Sequence, residues 1–221
     1  MDAQSSLRTP RSAAVAGIVF SVLLIAAFVL LNVSLQGDAV GAGRSLSDPG
    51  RRTGIVVALN LVPFAGIAFL WFIGVVRDRI GAREDRFFAT VFLGSGLLFV
   101  GMLFVAAAVA GGLIADIVLR PATAILPEPL TVTREVTGLL LHVYAMRMAG
   151  VFTISTATIT MRTQVIPRWI AFVGYGAALV MLVSIGLTPW VELLFPAWIL
   201  LLSVEILRVS LGANEGIGEV P

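Results

Sequence analysis

An all-α integral membrane bundle is the fold class this sequence predicts, and three observations predict it. Charged residues make up 13% of the 221-residue chain and hydrophobic residues 58%, whereas an ordinary soluble domain carries about 25% charge. The charges are unevenly spaced and leave uncharged runs of the length a bilayer requires, about 20 apolar residues. Backbone groups in hydrocarbon have no water to bond, so runs of this kind must close their hydrogen bonds internally as helices.

The spans lie in the gaps between charges. Ser12 to Gly37 is uncharged and predicts a first helix over Ala13 to Leu35. It is longer and more continuous than a signal-peptide core, and no small-x-small cleavage pattern follows it. Thr53 to Val76 predicts the second span and Phe87 to Ala115 the third, which is long enough to tilt. Val136 to Met161 predicts the fourth, with His142 and Arg147 embedded in it. The uncharged run Trp169 to Val191 holds a fifth helix and a turn at Gly186-Leu-Thr-Pro189. There Thr188 can cap the next helix and Pro189 suits its first position. The sixth span runs from Trp190 to Arg208 and carries Glu192 and Glu205 near its ends. Six spans is the expectation, with five as the alternative. The predicted organisation is a cytoplasmic segment over 1–12, the transmembrane domain over 13–208 and a mobile tail over 209–221.

Orientation follows from the arginines, since cytoplasmic loops carry the excess of positive charge. With the N-terminus inside, Arg8, Arg11, Arg77, Arg79, Arg83, Arg86, Arg162, Arg168 and Arg208 fall on the cytoplasmic side. Arg44, Arg51, Arg52, Arg120 and Arg134 fall outside. Both termini are therefore expected in the cytoplasm of a bacterial cell, with the chain in the inner membrane. The outer loop from Asp116 to Glu135 contains Pro121, Pro127 and Pro129 and is expected to be extended.

Composition also removes several classes of chemistry. There is no cysteine, so disulfides, thiolate nucleophiles and Cys-based metal sites are excluded. All fifteen basic residues are arginine; with the Ala and Gly richness this reads as the codon usage of a GC-rich bacterial genome. They are scattered over short loops and form no patch for nucleic acid. One histidine, no H-E-x-x-H, no G-x-S-x-G and no phosphate-cradling glycine loop leave catalysis without support. A single histidine near a helix end is too little to assign haem or quinone, and no cofactor is called for.

What remains is the charge inside the fourth span. Helix rise places Arg147 roughly 16 Å from the outer end of its helix and about 21 Å from the inner end, close to the midplane. A charge there costs about 2.5–3.5 kcal/mol on insertion scales, so it should face the interior or a wet cavity. On an α-helical wheel its face carries Tyr144, Gly150, Val151, Ile154 and Thr158, while His142 stands about 140° away. Two roles are open for Arg147. It lines an outward-facing polar vestibule with Tyr144, His142 and Asn60, suited to an anionic or carbonyl-bearing ligand. Or it is a strut, bonding carbonyls exposed where Pro63 kinks the second span or pairing with a carboxylate. His142 reads best as a satisfied packing histidine. Glu205 is expected to pair with Arg208, three residues on.

Small residues crowd the third span, at Gly94-Ser-Gly96, Gly101 and Ala106 to Gly112, and recur in the fifth at Gly174, Gly176 and Ala178. They let helices approach closely, either within the bundle or across a homodimer. The expected partners are the bilayer and a second copy or a larger membrane complex.

One loop carries a resemblance. Gly74-Val-Val-Arg-Asp78-Arg79-Ile-Gly81-Ala-Arg83 is similar to the G-x-x-x-D-R-x-G-x-R signature that major facilitator transporters carry between the same two helices. The resemblance implies that Asp78 and Arg79 brace neighbouring helix ends in one conformational state, as gating residues. Those transporters have about twelve spans in two halves, against at most six here. Arg147-Met-Ala-Gly150 is likewise similar to their fourth-helix arginine motif, without its glutamine and one residue short. The chain as a whole resembles the small multi-pass proteins common in bacterial membranes. Three function classes stay open: a small transporter- or channel-like bundle, a non-catalytic accessory or assembly subunit, and, last in order, a membrane enzyme.

Overall fold

The computed structural model of the chain describes residues 3–35, 49–80, 86–119, 127–163, 167–184 and 190–215. Among the described residues there is no strand. The helices are α1 (Ala3–Leu35), α2 (Pro49–Ile80), α3 (Arg86–Leu119) and α4 (Pro127–Gly138). A π-helical segment, Leu139–Ala145, joins α4 to α5 (Met146–Thr163). Then come α6 (Arg168–Val183), a 3-10 turn at Val191–Leu193, and α7 (Leu194–Glu215).

Five stretches are long and apolar enough to cross a bilayer: Arg11–Ser34, Pro49–Arg77, Phe87–Gly112, Thr131–Arg162 and Val191–Leu211. α6 is apolar but has only 16 residues, about 24 Å of helix. All six expected spans therefore exist as helices, and the fifth is the short one. The turn expected at Thr188-Pro189 lies outside the described residues, as do 216–221 at the end of the tail.

One expectation is corrected. The proline-containing outer loop is not extended throughout, because α4 begins at Pro127. Proline lacks only an N–H that the first turn of a helix leaves unbonded, and its fixed φ suits that position. The fourth span is accordingly a longer composite, α4 then π then α5.

Close contacts fix the arrangement. Gly17 of α1 lies against Phe72 and Ser203, so the first half of α1 meets the second half of α2 and the middle of α7. Gly54 lies against Ser34, where the other ends of α1 and α2 meet. α5 and α6 run antiparallel: Gly150 packs on Ala178 and Leu182, and Thr158 shares a hydrogen bond with Tyr175 at 2.9 Å. Arg11, Arg77, Arg162, Arg168 and Arg208 gather at one end of the bundle, and Arg51, Arg52 and Arg134 at the other. At the arginine-rich end Arg162 stands over the Phe88 ring, 4.7 Å from its centroid, and Arg208 pairs with Glu205 at 3.6 Å as expected. Trp169 and Trp190 are half-exposed near opposite ends, where interfacial aromatics belong.

Phenylalanine fills the centre. Phe20 of α1, Phe69 of α2, Phe99 of α3, Phe152 of α5 and Phe195 of α7 are all fully buried. Phe69 touches the other four, with centroids 4.5 to 5.6 Å away. Phe99 and Phe195 meet edge-on at 4.7 Å. Such pairs are worth about 0.5–1.5 kcal/mol each beyond burial. In lipid, where helix association draws on packing more than on water exclusion, that contribution matters.

The small residues divide into two sets. A Cβ at Gly96 would stand 2.6 Å from Ile73 Cδ1 and 3.1 Å from the Phe152 ring, and one at Gly174 2.8 Å from Trp198 Nε1. Those glycines serve contacts within the bundle. Gly94, Gly101, Gly111, Gly112 and Gly176 would meet nothing within 4 Å.

Candidate functional site

The polar residues of α5 are mostly spent on their own backbone. Thr153, Ser155, Thr156 and Thr158 each donate to the carbonyl four residues earlier, at 2.8 to 2.9 Å. Hydroxyls that bond their own helix have their donors satisfied without water. The groups with chemistry left are ionisable, and they lie towards the end of the bundle away from the arginine-rich one.

His142 and Glu192 come together there. His142 belongs to the π segment; Glu192 lies in the 3-10 turn that leads into α7. The His142 Nδ1 contacts Glu192 Oε1, and the glutamate side chain is 6% exposed against 39% for the histidine. An unpaired charge in low dielectric is costly, and the imidazole stands beside this carboxylate as an ion-pair partner. Its Oε1 makes no hydrogen bond of regular geometry among the described residues. The 3-10 turn delivers it inward: Leu193 N–H bonds the Trp190 carbonyl at 3.1 Å, and the tight turn aims Glu192 into the bundle.

The π segment also changes the geometry read from an α-helical wheel. The Met146 N–H bonds the carbonyl of Leu141, five residues back. A π turn holds more residues than an α turn, so positions five apart stand closer in phase than the wheel allows. The angle between His142 and Arg147 is thereby reduced.

Arg147 is half-buried, and among the described residues no hydrogen bond or ion pair holds it. It stands one turn before Gly150, which packs on Ala178 and Leu182, so its backbone is level with the last turn of α6. There Ser184 N–H takes up the Val180 carbonyl at 2.8 Å, while the final carbonyls of a helix have no partners within it. A cation suits that position because the helix dipole is negative at this end.

The other expected site residues are not joined to Arg147 by any bond among the described residues. Tyr144 is exposed, at 55%. Asn60 is exposed on α2 and its amide donates to the Val56 carbonyl at 2.8 Å. Asp78 and Arg79 fall in the last turn of α2, and their side chains lie outside the described ones. Glu192 is the residue that sequence reasoning noted near the start of the sixth span without giving it a role. Its position three residues after Pro189, in an otherwise uncharged stretch, was the available signal. Among the described residues no group of three His, Asp or Glu could hold a metal.

Comparison with known protein families, curated proteins and solved structures gives no match.

Proposed function

We propose that this chain is a small transporter-like membrane bundle whose polar site lies at the end away from the arginine-rich one. Arg147 supplies a charge for an anionic or carbonyl-bearing solute, and the His142–Glu192 pair forms the second half of the site. Tyr144 stands at its rim and Asn60 on a neighbouring span. The observation that supports this reading is the buried carboxylate of Glu192, held by the only histidine across two non-α-helical segments. Ionisable groups inside a membrane bundle mark function by default, and π turns are frequent at functional sites. The arginine-rich end is cytoplasmic on this reading, both termini lie inside a bacterial inner membrane, and Asp78 and Arg79 brace helix ends there.

The experiment is a thermal-shift screen of small carboxylates and phosphates on the purified protein, followed by uptake of any hit into proteoliposomes. A ligand that stabilises the wild type but not Arg147→Leu or Glu192→Gln, and is taken up, supports the proposal. Topology is tested with cysteines at Ser47, Thr131 and Ala82: the first two should react with an impermeant reagent on intact cells and the third should not.

A second reading has its own support. The phenylalanine cluster fills the bundle axis, as it would in a non-catalytic accessory or assembly subunit of a larger membrane complex. Stoichiometric co-isolation with such a complex, without ligand-dependent melting, favours that role over transport.

A further inference from the structure

A groove runs along the outer face of α1 and α2, at the opposite end from the polar site. Its apolar part, about 720 Å³, falls in the size range of small-molecule sites. Val15, Val19 and Leu23 of α1 and Phe64, Ile67 and Trp71 of α2 line it. Trp71 is 71% exposed and Phe64 61%. A second, more polar part of about 430 Å³ adjoins it, sharing Ser12, Ala16 and Trp71 and adding Arg77. Arg11 lines the same end of the apolar part.

We propose that this groove binds one anionic phospholipid, with its phosphate between Arg11 and Arg77 and an acyl chain along the trough. Length and charge carry the assignment. From Arg11 to Leu23 is roughly 18 Å along α1 and from Arg77 to Phe64 roughly 20 Å along α2. One leaflet of a hydrocarbon core about 30 Å thick is close to this depth. The groove thus runs from the headgroup level, where both arginines stand, to the middle of the bilayer, and it is open sideways to lipid. Arg11 Nε is buried and has no hydrogen-bond partner among the described residues. Buried donors are normally satisfied, and a phosphate oxygen would satisfy this one while matching the guanidinium geometry. Among the described residues no carboxylate pairs with either arginine, so both guanidinium groups can turn to a net negative headgroup. Basic pockets between helix ends bind anionic headgroups on the same physics.

Native mass spectrometry of the full chain in detergent tests this, with dioleoylphosphatidylglycerol and dioleoylphosphatidylcholine titrated separately. The wild type should retain one phosphatidylglycerol at concentrations where phosphatidylcholine is not retained. The double variant Arg11→Gln, Arg77→Gln should lose about tenfold or more in affinity, the order expected for two interfacial arginines. Val19→Trp, which fills the trough from an exposed position, should lose retention while melting like the wild type. Excess inorganic phosphate should not displace the lipid. Equal retention of the two lipids, unchanged retention in both variants, or displacement by phosphate alone would overturn the proposal. None of these outcomes bears on Arg147 or Glu192, so the polar site stands or falls separately.

Discussion

Glu192 at the head of the last helix is held by His142 from the π turn of the fourth span, so two local departures from α-helix meet in one contact. The pair ties the turn before α7 to the junction between α4 and α5.

The contact predicts a coupling. In a double-mutant cycle of His142→Ala and Glu192→Gln, detergent melting should show non-additivity of about 0.5–3 kcal/mol. The value should fall in the lower half, because the imidazole is partly exposed and solvent screens the pair. Additive effects would show that the two side chains do not interact.

The aromatic centre predicts a contrast between two phenylalanines of α2. Phe69→Ala removes the ring that touches four others and should cost about 3–5 kcal/mol. Phe64→Ala, on the exposed face, should change stability by less than about 0.5 kcal/mol. Unfolding of both variants in mixed micelles measures the difference.

Two glycines of α3 predict another. Gly96→Leu must displace Ile73 or Phe152, and overpacking of this kind costs about 1–3 kcal/mol. Gly101→Leu meets open space and should leave the monomer's melting unchanged or slightly raised. If the outward small-residue face joins two copies, the same Gly101→Leu change should dissociate them, which cross-linking in native membranes would detect.

Arg147→Leu separates the two roles of the intramembrane charge. If Arg147 binds a ligand, the variant should insert normally, melt at or above the wild-type temperature and lose ligand-dependent stabilisation. If it serves the carbonyls at the end of α6, the variant should lose about 1–3 kcal/mol with no ligand present. A paired measurement of melting with and without ligand distinguishes them.

The spans were legible because the charges cluster between uncharged runs of bilayer length, and those gaps mark the helices directly. The pairing of Arg208 with Glu205 was legible for a similar reason, being a matter of spacing along one helix. Helical α4 was hidden by its prolines, which signal a helix start as readily as a loop. The π turn was hidden because Leu139 to Ala145 has no composition that distinguishes i+5 from i+4 bonding. The burial of Phe20, Phe69, Phe99, Phe152 and Phe195 was hidden for a different reason. In a helix that is apolar all round, hydropathy does not say which face turns inward. The partner of His142 is a tertiary fact, fixed by how α7 docks, and no local pattern in the fourth span encodes it.

Phe195 closes the aromatic cluster, yet it is carried by α7, which follows the other four contributing helices in the chain. The space among Phe20, Phe69, Phe99 and Phe152 is filled only when that later helix docks. Glu192, three residues before Phe195, arrives with it, together with its claim on His142. The segment from 191 onward therefore supplies both the central ring and the buried acid, and a chain cut short before residue 191 would leave four rings and His142 without these partners.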